Sequence, residues 1–342
     1  MKYQIFKALD RPFIQKLFEK KSKTYFPFLK NNRIQGIEIE KISPIWAKET
    51  CLVRYKIFFN KNNQKTIRGT AKIHKSGKKT WQIMKYLYSQ GFNKKPFAIA
   101  RPIDFIEKIN LILYEEALGQ PLTEILQSKN AKMSTSISCL KDTSALLIKL
   151  HTFPVSKKLF RKAFFLGSEK YEKVFNKIKK IMPELKNYLI PVKNLKIIDK
   201  IWRNEKNTFI HNDFYSGNLI VNQRNFYCID FDKAGLGPAL MDIATLYGSL
   251  EFPKEIWELN FSEKEIKHLQ ETFLKTYCKL SAIDYLITKK RLKKFLAKIY
   301  LDQIHYYASL TAKGWPFLDT LTKKSFSKKI KVLLLRTKDY IS

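Results

Sequence analysis

The stretch HNDFYSGNLIVNQRNFYCIDFD, His211 to Asp232, decides how this chain folds. It places His211, Asp213, Asn218, Asp230 and Asp232 around what otherwise reads as two apolar strands. NLIVN and NFYCIDFD are strand-like, and Gln223-Arg224 between them is a tight turn, so the pair predicts an antiparallel hairpin. In either register that this turn allows, the Asn218 carboxamide and the Asp230 carboxylate come within about 5–8 Å at Cβ. An unpaired buried carboxylate costs several kcal/mol, so something must compensate it, and a bound cation is the first candidate. One carboxylate and one amide oxygen suit Mg²⁺, which completes its octahedron with phosphate oxygens and water. Asp213, on the loop before the first strand, stands apart from that pair and is placed to receive a proton. Carboxylates acting only as turn formers would not require this ordered set.

The regions on either side give the setting. From Gly36 to His74 the pattern is strand-like: GIEIEKI and TIRGTAKIH alternate, CLVRYKIFF is a further run, and NKNNQK is a polar turn. This predicts a three-stranded meander. KKTWQIMKYLYSQG reads as a helix closed by Gly91, and two more strand-like runs follow, around Ala98–Phe105 and Asn110–Glu115. After ALGQPL the character becomes helical. SEKEIKHLQETFLKTYCKL opens with Ser262 and Glu265 at capping-box spacing and keeps Ile266, Leu269, Phe273 and Tyr277 on one face.

Composition excludes several classes. A hydrophobic fraction of 45% over 342 residues is enough for a large core. No run approaches the roughly 18 apolar residues of a membrane helix, and MKYQIFKALDRPF has no apolar signal region, so a cytoplasmic protein without membrane association is expected. The four cysteines, Cys51, Cys139, Cys228 and Cys278, form no C-x-x-C pair, which argues against zinc and a disulfide framework. The net charge of +35 would favour a nucleic-acid binder. Lysine outnumbers arginine, however, and the lysines fall on solvated helical faces, as in EKYEKVFNKIKKIM opposite Val174, Phe175, Ile178 and Ile181. No specific nucleic-acid partner is therefore expected. Nothing in the chain sets an oligomeric state.

HNDFYSGNLI followed by CIDFD resembles the catalytic and metal-binding loops of the aminoglycoside phosphotransferase/choline kinase superfamily. GTAKIH resembles that family's third-strand lysine segment, LILYEEALGQPL its adenine-binding hinge, LLIKLHTF the helix before the catalytic loop, and GPALMDIATL the segment after the metal aspartate. The resemblance implies an α+β, two-lobed protein-kinase-like fold. Residues 1–35 would be a helical extension, 36–116 a small β-rich nucleotide-binding N-lobe, and 117–342 a larger, mainly helical C-lobe carrying the catalytic loop. It also implies an ATP- and Mg²⁺-dependent kinase acting on a hydroxyl of a small molecule. Asp213 would accept the proton of that hydroxyl, with His211 orienting the loop. Asn218 and Asp230 would hold Mg²⁺, Lys72 would contact the ATP phosphates, and backbone near Tyr114–Ala117, including Glu115 and Ala117, would hold adenine. Asp242, on a helix that a short turn after Asp230 leads into and that Pro238 opens, would brace the loop, and Asp232 is a candidate for a second metal. The helices after Asp230 would wall a pocket beside Asp213, with Tyr247, Trp257 and Tyr306 as candidate stacking residues.

Three features depart from the family pattern. Ile42 to Tyr55 contains no glycine, where phosphates need close backbone approach. The helix after Lys72 has no acid to pair with the lysine; Thr80 or Gln82 stands at that place. Asn212 replaces the more usual Gly or Arg. The first two favour an alternative, a catalytically reduced nucleotide-binding pseudokinase. A basic nucleic-acid-binding protein is the remaining alternative, supported by charge alone.

Overall fold

The computed structural model describes residues 5–27, 33–43, 50–60, 63–72, 76–155, 160–191, 194–196, 200, 205–251, 259–312 and 320–341. In chain order these contain α1 (Arg11–Lys20), α2 (Ser22–Tyr25), β1 (Gly36–Lys41), β2 (Thr50–Asn60), β3 (Asn63–Lys72), α3 (Ser76–Leu87), β4 (Phe97–Ile99), β5 (Pro102–Ile106) and β6 (Leu111–Glu115). There follow β7 (Gln120–Pro121), α4 (Leu122–Gln127), α5 (Met133–Thr152), α6 (Ser168–Ile181), β8 (Asn207–Ile210), β9 (Leu219–Asn222), β10 (Asn225–Cys228) and β11 (Gly235–Pro238). The last helices are α7 (Leu240–Leu250), α8 (Glu263–Leu280), α9 (Tyr285–Ala312) and α10 (Thr320–Ile341). Residues 44–49 of the glycine-free stretch from Ile42 to Tyr55 lie outside the described residues, as does Trp257. None of the described helices is long and apolar enough to cross a membrane.

The chain forms two compact units, residues 1–119 with 220–232, and residues 120–219 with 233–342. In the first, the expected meander is present as β1-β2-β3, extended by β6 and β5 into a five-stranded antiparallel sheet of order β1-β2-β3-β6-β5. Alternation along β2 sends Cys51, Val53, Tyr55, Ile57 and Phe59 to one face. The N-terminal helices cover that face: Ile14 and Phe18 of α1 share one apolar cluster with Tyr25, Phe26, Val53, Tyr55 and Ile57. Phe18 meets Tyr55 edge to face at 5.5 Å. Asp10 caps α1 by accepting the Phe13 N–H at 3.1 Å, so the helix that docks on the sheet begins at a defined residue. The same unit contains the predicted hairpin β9-β10, and β10 pairs in parallel with β4.

The second unit is mainly helical. The expected capping box is present at the start of α8, where Ser262 accepts the Glu265 N–H and the Glu265 carboxylate accepts the Ser262 N–H. The apolar stripe then buries Leu269, Phe273 and Tyr277. On α6, Val174, Phe175 and Ile178 are buried while Ile181, at the last position, is exposed. One local expectation changes. Asp230 was expected to lead through a short turn into a helix opened by Pro238. Instead Gly235–Pro238 forms β11, antiparallel to β8, and the helix starts at Leu240. A Cβ on Gly237 would lie 2.5 Å from Ile210 Cδ1, so the Ile210 side chain packs directly over this glycine.

Candidate active site

Two constellations, one in each unit, contain the residues singled out by the sequence. In the second unit, the loop after β8 is held by Asp242 near the start of α7. Asp242 is fully buried. Its Oδ2 accepts the His211 backbone N–H at 2.8 Å, and its Oδ1 accepts the Asn212 N–H at 2.7 Å. His151, at the end of α5, lies with Nε2 3.1 Å from Asp242 Oδ2 and Nδ1 2.8 Å from the Tyr277 hydroxyl. The buried charge is thus shared among backbone donors and a histidine, which is what makes a buried carboxylate tolerable. Asn212 has a φ of +59°. Asparagine enters this left-handed region more readily than most residues, and its Nδ2 also donates to the Phe164 carbonyl at 3.2 Å.

The loop so fixed presents Asp213. Its side chain is 27% exposed, and Lys233 reaches its Oδ1 at 3.0 Å. Asp213 also anchors the turn behind it, its carbonyl accepting the Tyr215 N–H and Asn218 Nδ2. Because the Asn218 amide nitrogen is turned inward to the loop, its carbonyl oxygen is the atom suited to a cation. His211 is buried and packs against Phe214, a place in the loop's framework rather than at an open surface.

In the first unit, Lys72 ends β3 and is buried, 6% exposed. Its ammonium pairs with Asp232 Oδ2. The other oxygen of Asp232 accepts the Thr80 hydroxyl of α3 at 3.0 Å. Burial lowers the Lys72 pKa, and the nearby charge of Asp230 opposes that shift. Asp230 itself has a φ of +64°, a left-handed conformation that Asp and Asn enter more readily than most residues. Lys72 and Thr70 share a face of β3, and Thr70 bonds the Tyr114 hydroxyl at 3.0 Å on β6.

The segment after β6 is held by ion pairs. Glu115 pairs with Arg101 at 2.7 Å, and Glu116 is gripped by Arg54 of β2 and Arg68 of β3. Gly119 follows with a φ of +140°, and a Cβ there would lie 2.3 Å from the Val221 carbonyl oxygen. The sequence reading did not find the partners Asp232, Arg54 and Lys233. Asp232, the candidate for a second metal, pairs with Lys72. A further cavity, of about 770 Å³, lies in the second unit among α7, α8, α9 and α10. Tyr247 lines it, whereas Asp213 and Tyr306 do not.

Asn218 and Asp230 offer hard oxygen donors, and among the described residues no group of three or more His, Cys, Asp or Glu side chains could hold a metal. Each of the two is a hard oxygen donor of the kind that a divalent cation takes beside phosphate oxygens and water.

Comparison with known proteins agrees with this geometry. The phosphotransferase enzyme family matches residues 74–284, so the chain belongs to that family. Among solved structures, an ethanolamine kinase from Plasmodium vivax superposes with a TM-score of 0.60 at 15% identity, covering 94% of this chain and 88% of its own. An amicoumacin kinase, in complex with AMP-PNP, Ca²⁺ and Ami, gives 0.58 at 16% identity, covering 96% and 95%. An ADP-bound aminoglycoside phosphotransferase gives 0.55 at 14% identity, covering 94% and 99%. The expected fold class, α+β and protein-kinase-like, is therefore the observed one. Comparison with functionally curated proteins found no match.

Proposed function

We propose that this protein is an ATP- and Mg²⁺-dependent kinase that transfers a phosphoryl group to a hydroxyl of a small molecule. The observation that carries the proposal is the catalytic loop: a partly exposed Asp213 on a backbone clamped by the buried Asp242. Phosphoryl transfer needs positioning and charge neutralisation more than covalent help. Asp213 takes the hydroxyl proton as the oxygen attacks. The exposed Lys233 can swing aside, because a solvent-facing pair contributes at most about 1 kcal/mol. Asn218 and Asp230 would hold Mg²⁺, which would supply charge neutralisation at the phosphates. Lys72 contacts those phosphates, and backbone at Glu115 and Ala117 takes the adenine. His211 and Asp242 keep the loop in shape.

The presence of ADP in one structural relative, and of AMP-PNP with Ca²⁺ in another, supports an adenine nucleotide with a divalent cation. The relatives named for ethanolamine, aminoglycosides and amicoumacin support a small acceptor. The lysine-rich stretches KKRLKKFLAK and KKSFSKKIK disfavour a polycationic acceptor and favour a neutral or anionic sugar or alcohol. Against the pseudokinase alternative stands Asp232, whose carboxylate pairs with Lys72 although α3 carries no acid. The +35 charge is assigned to a solvated surface rather than a nucleic-acid site, and the setting to the cytoplasm.

The test is a screen of hydroxylated metabolites and antibiotics for ADP release, with Asp213→Asn as control. Release that depends on acceptor and on Asp213 is the expected result. Nucleotide binding without turnover on any acceptor would return the pseudokinase reading, and the absence of nucleotide binding would end both.

A further inference from the structure

We infer that Asp232 is the positioning residue for Lys72, and that Thr80 orients Asp232, so that the acid absent from α3 is supplied from the end of the β9-β10 hairpin. This rests on the proposed role of Lys72 at the nucleotide phosphates.

Helix α3, SGKKTWQIMKYL, contains no Asp or Glu along its length. Lys72 nevertheless sits 6% exposed at the end of β3, where a free ammonium would pay a desolvation cost. Asp232 Oδ2 meets that need. Its Oδ1 is engaged by the Thr80 hydroxyl at 3.0 Å, so both oxygens are committed and the carboxylate plane is fixed. Thr80 is itself buried, which narrows its rotamers and makes it an orienting donor rather than a passing one. The Lys72 carbonyl is tied as well, accepting Asn110 Nδ2 at 2.7 Å, so both backbone and head group of the lysine are held. The helix therefore acts on Lys72 at one remove, through a hydroxyl and a carboxylate. Asp232 lies two residues beyond Asp230, so the lysine and the proposed cation ligand are set by one short segment.

The test is the dissociation constant of the intact protein for ATP and for adenosine, each with and without Mg²⁺, with thermal stability recorded alongside. Asp232→Asn is expected to weaken ATP about tenfold in both metal conditions and to leave adenosine unchanged. Lys72→Ala should give a similar loss, and the double variant no further loss, as expected for residues acting as a unit. Thr80→Val, which keeps the ion pair, should weaken ATP about threefold and guards against an Asp232 variant that does not fold. In Asp232→Asn/Thr80→Glu, a longer acid at position 80 should restore ATP affinity, which a general structural defect would not allow. An additive double-variant loss, an unchanged Asp232→Asn, or a loss seen only with Mg²⁺ would overturn the inference while nucleotide binding stands. No ATP binding by the unaltered protein would overturn the proposed function and this inference together.

Discussion

Asp242 accepts the backbone N–H of His211 at 2.8 Å from full burial, so the residue that shapes the loop carrying Asp213 holds it through the main chain. With Asn212 on its other oxygen and His151 alongside, this carboxylate is a structural centre of the second unit. Asp242→Ala would leave two buried donors without their acceptor, and it is expected to cost about 3–5 kcal/mol of unfolding free energy. Chemical denaturation checks this; a loss below about 1 kcal/mol would contradict the bracing role.

In the proposed mechanism Asp213 acts on the attacking hydroxyl and not on the nucleotide. Asp213→Asn should lower kcat by about 10²-fold or more while the ATP dissociation constant stays within about twofold. A parallel loss of nucleotide binding would make its role structural.

Asp230 is the proposed link between metal and nucleotide. Thermal stabilisation by ATP with Mg²⁺ should exceed that by ATP alone, and Asp230→Ala should remove the difference, since ligand stabilisation follows RT ln(1 + [L]/Kd). An unchanged Mg²⁺-dependent increment would remove Asp230 from the metal site.

Gly119 tolerates no side chain. Its φ of +140° and the 2.3 Å approach to the Val221 carbonyl mean that Gly119→Ala strains the backbone as well as clashing. A loss of about 2 kcal/mol or more is expected, together with weaker adenosine binding, because the distorted segment adjoins Glu115 and Ala117.

Glu271 on α8 gives a pH signature. Burial raises its pKa, but hydrogen bonds from Lys289 and Tyr285 prevail and the net shift is downward from 4.5. A carboxyl lowered on folding adds stability that is present above its unfolded pKa and is lost as pH falls through the folded value. Stability should therefore fall on acidification below about pH 4.5, and Glu271→Gln should flatten that limb while being destabilised at pH 7. Unfolding curves at pH 7, 4 and 3 distinguish a flattened limb from an unchanged one.

Much of the fold and the site's outline was legible because it is locally encoded. The hairpin follows from alternation around Gln223-Arg224, the α8 start from Ser262 and Glu265, and the motif from fixed spacings around Asp213. What stayed hidden depends on long separations. Nothing near Lys72 in the chain names Asp232 as its partner, and nothing near Glu116 names Arg54 or Arg68. The amphipathic pattern of the first 35 residues marks an apolar face but not the surface it covers, so a reading as an extension does not foresee Phe18 against Tyr55. The β8-β11 ladder was missed because Pro238 is a good helix opener, and only the pairing with β8 makes it a strand end.

The first unit is discontinuous, and that has a consequence for how the protein is made. Thr80 and Asp232 are 152 residues apart. At synthesis rates of 5–20 residues per second, about 8–30 s pass between the emergence of α3 and that of its partner carboxylate. During that interval β4 has no β10 to pair with, and Lys72 has no counter-charge from Asp232. The first unit is thus completed late, by a strand that arrives only after the loop carrying Asp213 has been translated.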